Sequence, residues 1–221
     1  MKKILVVSCT SSSEDSRDSL KIYQSLSKLD DNELNIHYLN TRGLPEIYNK
    51  YITSKYASMY DIALFVHDDV YIDDYNLCTK LYNGMRVYDI IGLAGCKSPV
   101  IRSPALWHIM SHCKDHRGYV SHPTSESQIA VSSFGPTPDR VTLVDGLFMA
   151  VNLPKAIETG WRFNESFDFH HYDLSSCLDA NQKKLKIGVV PINVIHSSPG
   201  LRTLDDPHFQ KSEQKFIEMY S

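Results

Sequence analysis

Chemistry in this chain concentrates at His67-Asp68-Asp69. The tripeptide follows a five-residue apolar run, Ile62-Ala63-Leu64-Phe65-Val66, and a second acidic pair, Asp73-Asp74, lies just beyond it. A short apolar run bounded by polar residues reads as a buried strand. Two carboxylates and an imidazole at its C-terminal end are unfavourable beside a core unless something compensates them. Carboxylate oxygens suit Mg2+ or Mn2+, so a divalent cation is one such partner. In open α/β sheets, ligands bind in the crevice outside the carboxyl ends of the strands. The alternative is an exposed strand-to-loop turn in which aspartate serves as turn and cap chemistry.

Three further places carry reactive residues. Asp145-Gly146 interrupts an apolar stretch over residues 141–152. Residues 165–173, ESFDFHHYD, hold Asp168 and Asp173 just before a helical pattern that starts at Leu174. Asp173 can act there as a base or as the N-cap of that helix. His196 ends the last apolar stretch, KIGVVPINVIH. If that strand joins the sheet of residues 62–66, His196 faces the same crevice as Asp69. The histidines at 108, 112, 116 and 122 are too irregularly spaced to define a metal site and read as surface residues.

The elements that must position these residues follow from periodicity. Residues 3–8, KILVVS, read as the first strand, and residues 34–39 as the second. A helix capped by Asp15 or Ser16 runs through Leu20, Tyr23, Leu26 and Leu29. A second helix carries Ile47, Tyr48, Tyr51 and Ile52 and leads into the strand at 62–66. This βαβαβ start implies parallel strands with right-handed crossovers. Neither GxGxxG nor GxxxxGK[ST] is present, which weakens dinucleotide and P-loop readings. Residues 75–85 read as a helix and 89–94 as a short buried strand. Residues 97–140 are loop-rich, with five prolines and hairpin strands at 118–120 and 127–134. Such a long irregular insertion is more often functional than idle, and we read it as a wall over a substrate cleft. Strands at 141–152 and 186–194, a short helix at 153–159 and an amphipathic helix at 209–219 complete the chain.

Composition narrows the class. With 221 residues, 42% hydrophobic and 22% charged, the chain fits one ordinary globular domain spanning 1–221. A formal charge of −3 argues against nucleic acid as the main partner. No apolar run approaches the roughly 18 residues of a membrane-spanning helix. The N-terminal apolar run ends at Ser8, too short for a signal peptide, so a cytoplasmic location is expected. The five cysteines are scattered without a CxxC pair and read mostly as buried thiols.

Taken in order, four segments resemble glycosyltransferases of the GT-A fold, in particular compact bacterial members of the family-2-like group. Asn40-Thr41-Arg42-Gly43-Leu44 with Tyr48-Asn49 is similar to that family's N-x-x-G-L…YN segment. His67-Asp68-Asp69 stands at its D-x-D motif, with histidine in the first position. Val144-Asp145-Gly146 is similar to its acceptor-side segment. Residues 167–173 resemble the segment holding its acidic E-D pair, with Tyr172 in place of the first acid. The acidic residue usual at the end of strand two is replaced by Asn40.

The resemblance implies an α/β GT-A fold: a single mixed, mostly parallel sheet with a Rossmann-like first half. Residues 1–96 would bind the nucleotide sugar and 97–221 the acceptor. It implies a metal-dependent, hexosyltransferase-type enzyme moving a sugar from a nucleotide donor, a UDP-sugar by preference, to a glycan or lipid-linked acceptor in bacterial surface-polysaccharide synthesis. Peripheral membrane association is compatible with such an acceptor. Asp69 and His196 would hold Mn2+ or Mg2+. Asp173 would be the base, with Asp168 in reserve, and a single well-placed base favours inversion. Ser8, Thr10, Asn40, Asn49, His67, Asp68 and Asp145 would contact the donor, with Asp145 turned to sugar or acceptor. Two other readings stand beside this one: a metal-dependent phosphohydrolase, which would need more clustered ligands for two metals, and a silent binding domain that kept the fold.

Overall fold

The computed structural model describes residues 3–29, 31–101, 104–124, 128–198 and 205–221. Strand β1 (Ile4–Cys9) is buried at all six positions, as a strand covered on both faces must be. A 3-10 turn (Glu14–Ser19) and helix α1 (Lys21–Leu26) follow, separated by Leu20 in extended conformation. The single helix expected there is therefore broken. Strand β2 (Asn32–His37) pairs parallel with β1. It ends earlier than expected because Leu39 turns the chain with φ 48. Helices α2 (Leu44–Tyr48) and α3 (Ser54–Met59) then lead to β3 (Ile62–Val66), which is wholly buried and parallel to β1 on its other side.

The remaining elements are β4 (Val70–Ile72), α4 (Leu77–Gly84), β5 (Ile90–Gly92), β6 (Ala94–Cys96), α5 (Trp107–Met110), β7 (His116–Pro123), β8 (Ile129–Gly135), β9 (Asp139–Val141), β10 (Leu143–Val144), β11 (Phe148–Asn152), α6 (Leu153–Thr159), α7 (Tyr172–Gln182), β12 (Ile187–Val189), β13 (Val194–His196) and α8 (Pro207–Tyr220). The expected strand start at Ser127 and the start of the tail, 199–204, lie outside the described residues.

The α/β architecture agrees with expectation, but its strands form two sheets rather than one. A seven-stranded mixed sheet has the order β2-β1-β3-β11-β5-β12-β9; a second runs β10-β6-β7-β13-β4, with β8 beside β7. Parallel pairing in the large sheet is limited to β1–β2, β1–β3 and β5–β12, because β11 and β9 enter antiparallel. The chain passes from the large sheet to the small one at residues 67–69, 93, 142 and 190–193. Strands expected to be continuous at 89–94 and 186–194 are split at two of these crossings. Pro191, which has no N–H to give a ladder, sits in the second.

His67-Asp68-Asp69 occupies the crossing between β3 and β4, and Asp145-Gly146-Leu147 the return from β10 to β11. Backbone bonds tie the crossings together. The His67 amide donates to the Leu147 carbonyl at 3.1 Å, and the Ser197 amide to the Asp69 carbonyl at 3.0 Å. The second acidic pair is structural at Asp74, which is buried and accepts from Lys80 Nζ at 2.6 Å and the Asn193 amide at 3.1 Å. These bonds hold the turn that feeds β13 and so set the position of His196.

Candidate active site

Asp69, His67 and His196 meet at the seam between the sheets. Their ligating atoms all lie within 4.8 Å of one another, and they are the one cluster with metal-site spacing among the described residues. His196 arrives from the small sheet, through its register with Val70. The condition that its strand join the sheet of residues 62–66 is therefore not met. It reaches Asp69 because β13 pairs with β4, the strand that Asp69 leads into. His196 Nε2 stands 3.4 Å from Asp69 Oδ1, long for a hydrogen bond, and Asp69 Oδ1 is a buried acceptor without a hydrogen-bond partner.

The shifts at Asp69 and His67 favour a cation, and the shift at His196 opposes it. Burial raises the Asp69 carboxyl, but the neighbouring imidazoles of His196 and His67 outweigh it and hold the group below its ordinary value. Burial lowers His67 more than the nearby carboxylates raise it, which favours the neutral ring. At His196 burial also lowers, but Asp69 outweighs it and the net shift is upward. Carboxylate and imidazole together are a donor set that a divalent cation accepts, and the three residues are close enough that they could hold one.

Two cavities flank the cluster. One, of about 420 Å3, is lined by Thr10, Asn40, Arg42, Gly43, Asp68 and Asp168 among others. Asn40 bridges the Arg42 backbone at both ends of its amide, at 2.8 and 3.2 Å. The Thr10 hydroxyl accepts from the Ser12 amide at 3.1 Å. Asp168, expected as a reserve base, lies on this side, and its Oδ1 would be 2.9 Å from a Cβ at Gly43. Two expected donor contacts are placed elsewhere. Ser8 is sealed inside the core and does not line the cavity, which begins one residue further on at Cys9. Asn49 spends its amide on the Phe163 backbone, at 2.9 Å twice, and on Glu165 at 2.8 Å, clamping the chain after α6.

The other cavity, of about 150 Å3, is lined by His67, Trp107, Asp145, Phe169, Tyr172 and Asp173 among others. Asp173 is the second residue of α7, not its N-cap, a position held by His171 at φ 64. Asp173 Oδ2 accepts from the Gly146 amide at 2.7 Å, and Asp145 Oδ1 from the Leu147 amide at 3.1 Å. Burial first, then the charge of Asp145, pushes the Asp173 carboxyl up to about 7 against the amides of Leu174 and Gly146. The approach needs a glycine: a Cβ at Gly146 would meet Tyr172 Oη at 2.7 Å and Asp173 Cβ at 2.9 Å. Tyr172 Oη donates to the Gly146 carbonyl at 2.8 Å and lies 3.4 Å from His67 Nε2.

Trp107 comes from the loop-rich insertion and lines the second cavity, alongside Ala105. Phe169 escapes a reading of the sequence, yet it lines both cavities and stacks on His67 with centroids 5.5 Å apart. It is 54% exposed. An aromatic preceding a histidine pair carries no periodic signal; only its place between Asp168 and Asp173 could have drawn attention to it.

A sequence profile of the Glycosyltransferase like family matches residues 5–220. The chain belongs to that family. No curated protein matches the chain closely. Among solved structures, it is similar to A197 from STIV, with TM-score 0.53 and 14% identity over 89% of this chain and 86% of that one. It is also similar to S. aureus TarS 1–349, with TM-score 0.51 and 12% identity over 89% of this chain and 61% of that one. At such identities the likeness is one of fold. It agrees with a GT-A-type glycosyltransferase fold. No helix among the described residues is long and apolar enough to cross a membrane.

Proposed function

We propose that this family member is a metal-dependent, inverting glycosyltransferase of hexosyltransferase type. It would use Mn2+ or Mg2+ and a nucleotide-sugar donor, by preference a UDP-sugar, with a glycan or lipid-linked acceptor. The observation that carries the reading is Asp69 Oδ1, buried without a hydrogen-bond partner between two imidazoles and below its ordinary pKa. Such an atom is costly without a cation. His67, Asp69 and His196 would hold the ion. When bound, a divalent cation neutralises the charge that develops on a departing nucleoside diphosphate.

The residues of the chain divide the remaining work. The cavity with Thr10, Asn40 and Asp68 takes the nucleotide, and the cavity with Trp107, Asp145 and Asp173 takes the acceptor. Asp173 accepts the proton of the acceptor hydroxyl as its oxygen attacks the anomeric carbon. A carboxyl near 7 is matched to that task, since general bases work best with a pKa near the operating pH. The Gly146 amide and the Tyr172–Gly146 bond fix the base in place. The donor half, 1–96, is not self-sufficient in this reading: Asp168 and Phe169 close its cavity from the acceptor half, 97–221. A cytoplasmic enzyme of surface-polysaccharide synthesis, bound peripherally at the membrane for lipid-linked acceptors, is the setting we infer.

A panel of nucleotide sugars with Mn2+ tests this, with slow donor hydrolysis as the readout. We expect one donor to be cleaved and EDTA to stop the cleavage. Cleavage of simple phosphoesters instead would make the chain a phosphohydrolase, and binding without any turnover would make it a silent module.

A further inference from the structure

A third cavity, of about 350 Å3, opens between residues 166–170 and helix α8. It shares Asp168 and Phe169 with the nucleotide-side cavity, and Phe169 and His170 with the acceptor-side cavity. It thus borders both, yet the reaction described above uses none of its α8 residues. His208, Lys211 and Lys215 line it from α8. Residues three, four and seven apart share one helical face. Two lysines therefore line this space with one carboxylate, Asp168, in a chain of net charge −3, while Asp206 lies just outside it, 3.7 Å from His170 Nε2. The acceptor-side cavity next to it is acidic, with Asp145 and Asp173.

The cationic face is built into the site. Lys215 donates to the Ser166 carbonyl and lies 5.6 Å from the centroid of the Phe167 ring. An ammonium has three N–H groups, so two remain for a ligand. Lys211 is exposed and has no hydrogen-bond or ion-pair partner among the described residues. Between them, the Ser212 hydroxyl donates to the His170 carbonyl at 2.8 Å and lies 3.0 Å from His171 Nδ1. This ties α8 to the segment that leads into Asp173. Phe169, stacked on His67 by one face, is half exposed where the three cavities meet.

We propose that this cavity binds a phosphoryl group of the acceptor, adjacent to the unit whose hydroxyl reaches Asp173. Assigning the group to the acceptor rests on the glycosyltransferase reading; the phosphoryl chemistry rests on the cavity alone. Ammonium groups act as point charges that suit a tetrahedral anion, whereas a carboxylate is better matched by the planar guanidinium fork, and no arginine is among the described lining residues. A phosphodiester within a polymer and the terminal phosphate of a carrier share this chemistry.

The test is an NMR titration of the full chain, saturated with UDP and Mg2+, following the His208 and His170 ring protons. Dimethyl phosphate stands for a polymer diester and methyl phosphate for a terminal monoester. We expect one or both to shift His208 saturably, with the tighter one naming the source. Lys211→Gln and Lys215→Gln should each raise that Kd about fivefold, a modest value for partly exposed charge-assisted contacts. Lys211→Gln carries the test if Lys215→Gln fails to fold, since the exposed Lys211 side chain makes no hydrogen bond or ion pair among the described residues. No shift at His208, an unchanged Kd in Lys211→Gln, or equally tight binding of methyl glucuronate would overturn the phosphoryl assignment. Loss of UDP affinity in Lys211→Gln, in step with loss of phosphate affinity, would move the lysine to the donor and overturn the acceptor assignment. UDP binding is followed in the same samples by 31P signals. Its failure would sink the donor reading while the His208 titration still reports on the cavity.

Discussion

Replacing Asp173 by asparagine should slow the enzyme and stabilise the protein at once. The carboxyl sits near 7 because burial and Asp145 disfavour its charge. Its pKa is raised in the folded state, so the stability linked to it is fully present below the unfolded value near 4. That stability is lost as pH rises towards the folded value of about 7. A shift of this size corresponds to about 4 kcal/mol at roughly 1.4 kcal/mol per unit. Asp173 borders an open cavity, so about 2 kcal/mol is the realistic expectation after solvent screening. The substituted amide would keep an oxygen to accept from the Gly146 amide without carrying the charge. Thermal unfolding of Asp173→Asn and wild type, in EDTA from pH 4.5 to 8.5, should give similar Tm values at the acid end. The variant should be about 4–8 °C higher above pH 7.5, given roughly 2–4 °C per kcal/mol for a chain of this size. Above pH 7, where the wild-type carboxyl is ionised, kcat should be lower by about 10²-fold or more in the variant, as expected for a lost general base, with donor affinity little changed, and the difference should shrink as pH falls. A Tm difference that does not vary with pH would refute the raised pKa, and a collapse of donor affinity with intact kcat would refute the role.

Other consequences can be measured directly. Asp69→Asn should abolish turnover and weaken UDP binding in the presence of Mn2+ while leaving far-UV circular dichroism unchanged; full activity, or activity in excess EDTA, would reject the ligand role. His196→Ala should need much more Mn2+ for half-maximal rate, whereas lower Tm with an unchanged Mn2+ requirement would make it structural. Protons would compete with a cation at His196, whose pKa is raised through Asp69 despite burial, so Mn2+ affinity should weaken as pH falls through the imidazole range. Gly146→Ala should cut activity at least as strongly as stability, because its Cβ would displace Tyr172 and Asp173.

Some of this was open to reading in the chain itself. Residues 62–66 are fully buried, and their strand carries the reactive tripeptide out of its C-terminal end, as hydrophobic run and polar stop together require. The parallel order β2-β1-β3 follows from the βαβαβ pattern. The hairpin in the loop-rich insertion also formed, as β7 and β8. The strand crossings were not legible. A strand that changes sheets at Leu93 or Pro191 keeps its apolar pattern on both sides, so periodicity sees one strand. Ser8 and Asn49 show the limit of reading polar residues at strand and helix ends. One points into the core; the other spends its amide on the Phe163 backbone and the Glu165 carboxylate. His196 reached Asp69 by a route through the small sheet that no local pattern encodes.

His67, Asp69 and His196 are proposed to form a cation site that serves a nucleoside diphosphate. Electron paramagnetic resonance of Mn2+ titrated into the protein tests it most directly. The expected result is one bound Mn2+ per chain, held more tightly when UDP is present and lost in Asp69→Asn. Mn2+ that stays free at high protein concentration, or that binds Asp69→Asn as well as wild type, would contradict it.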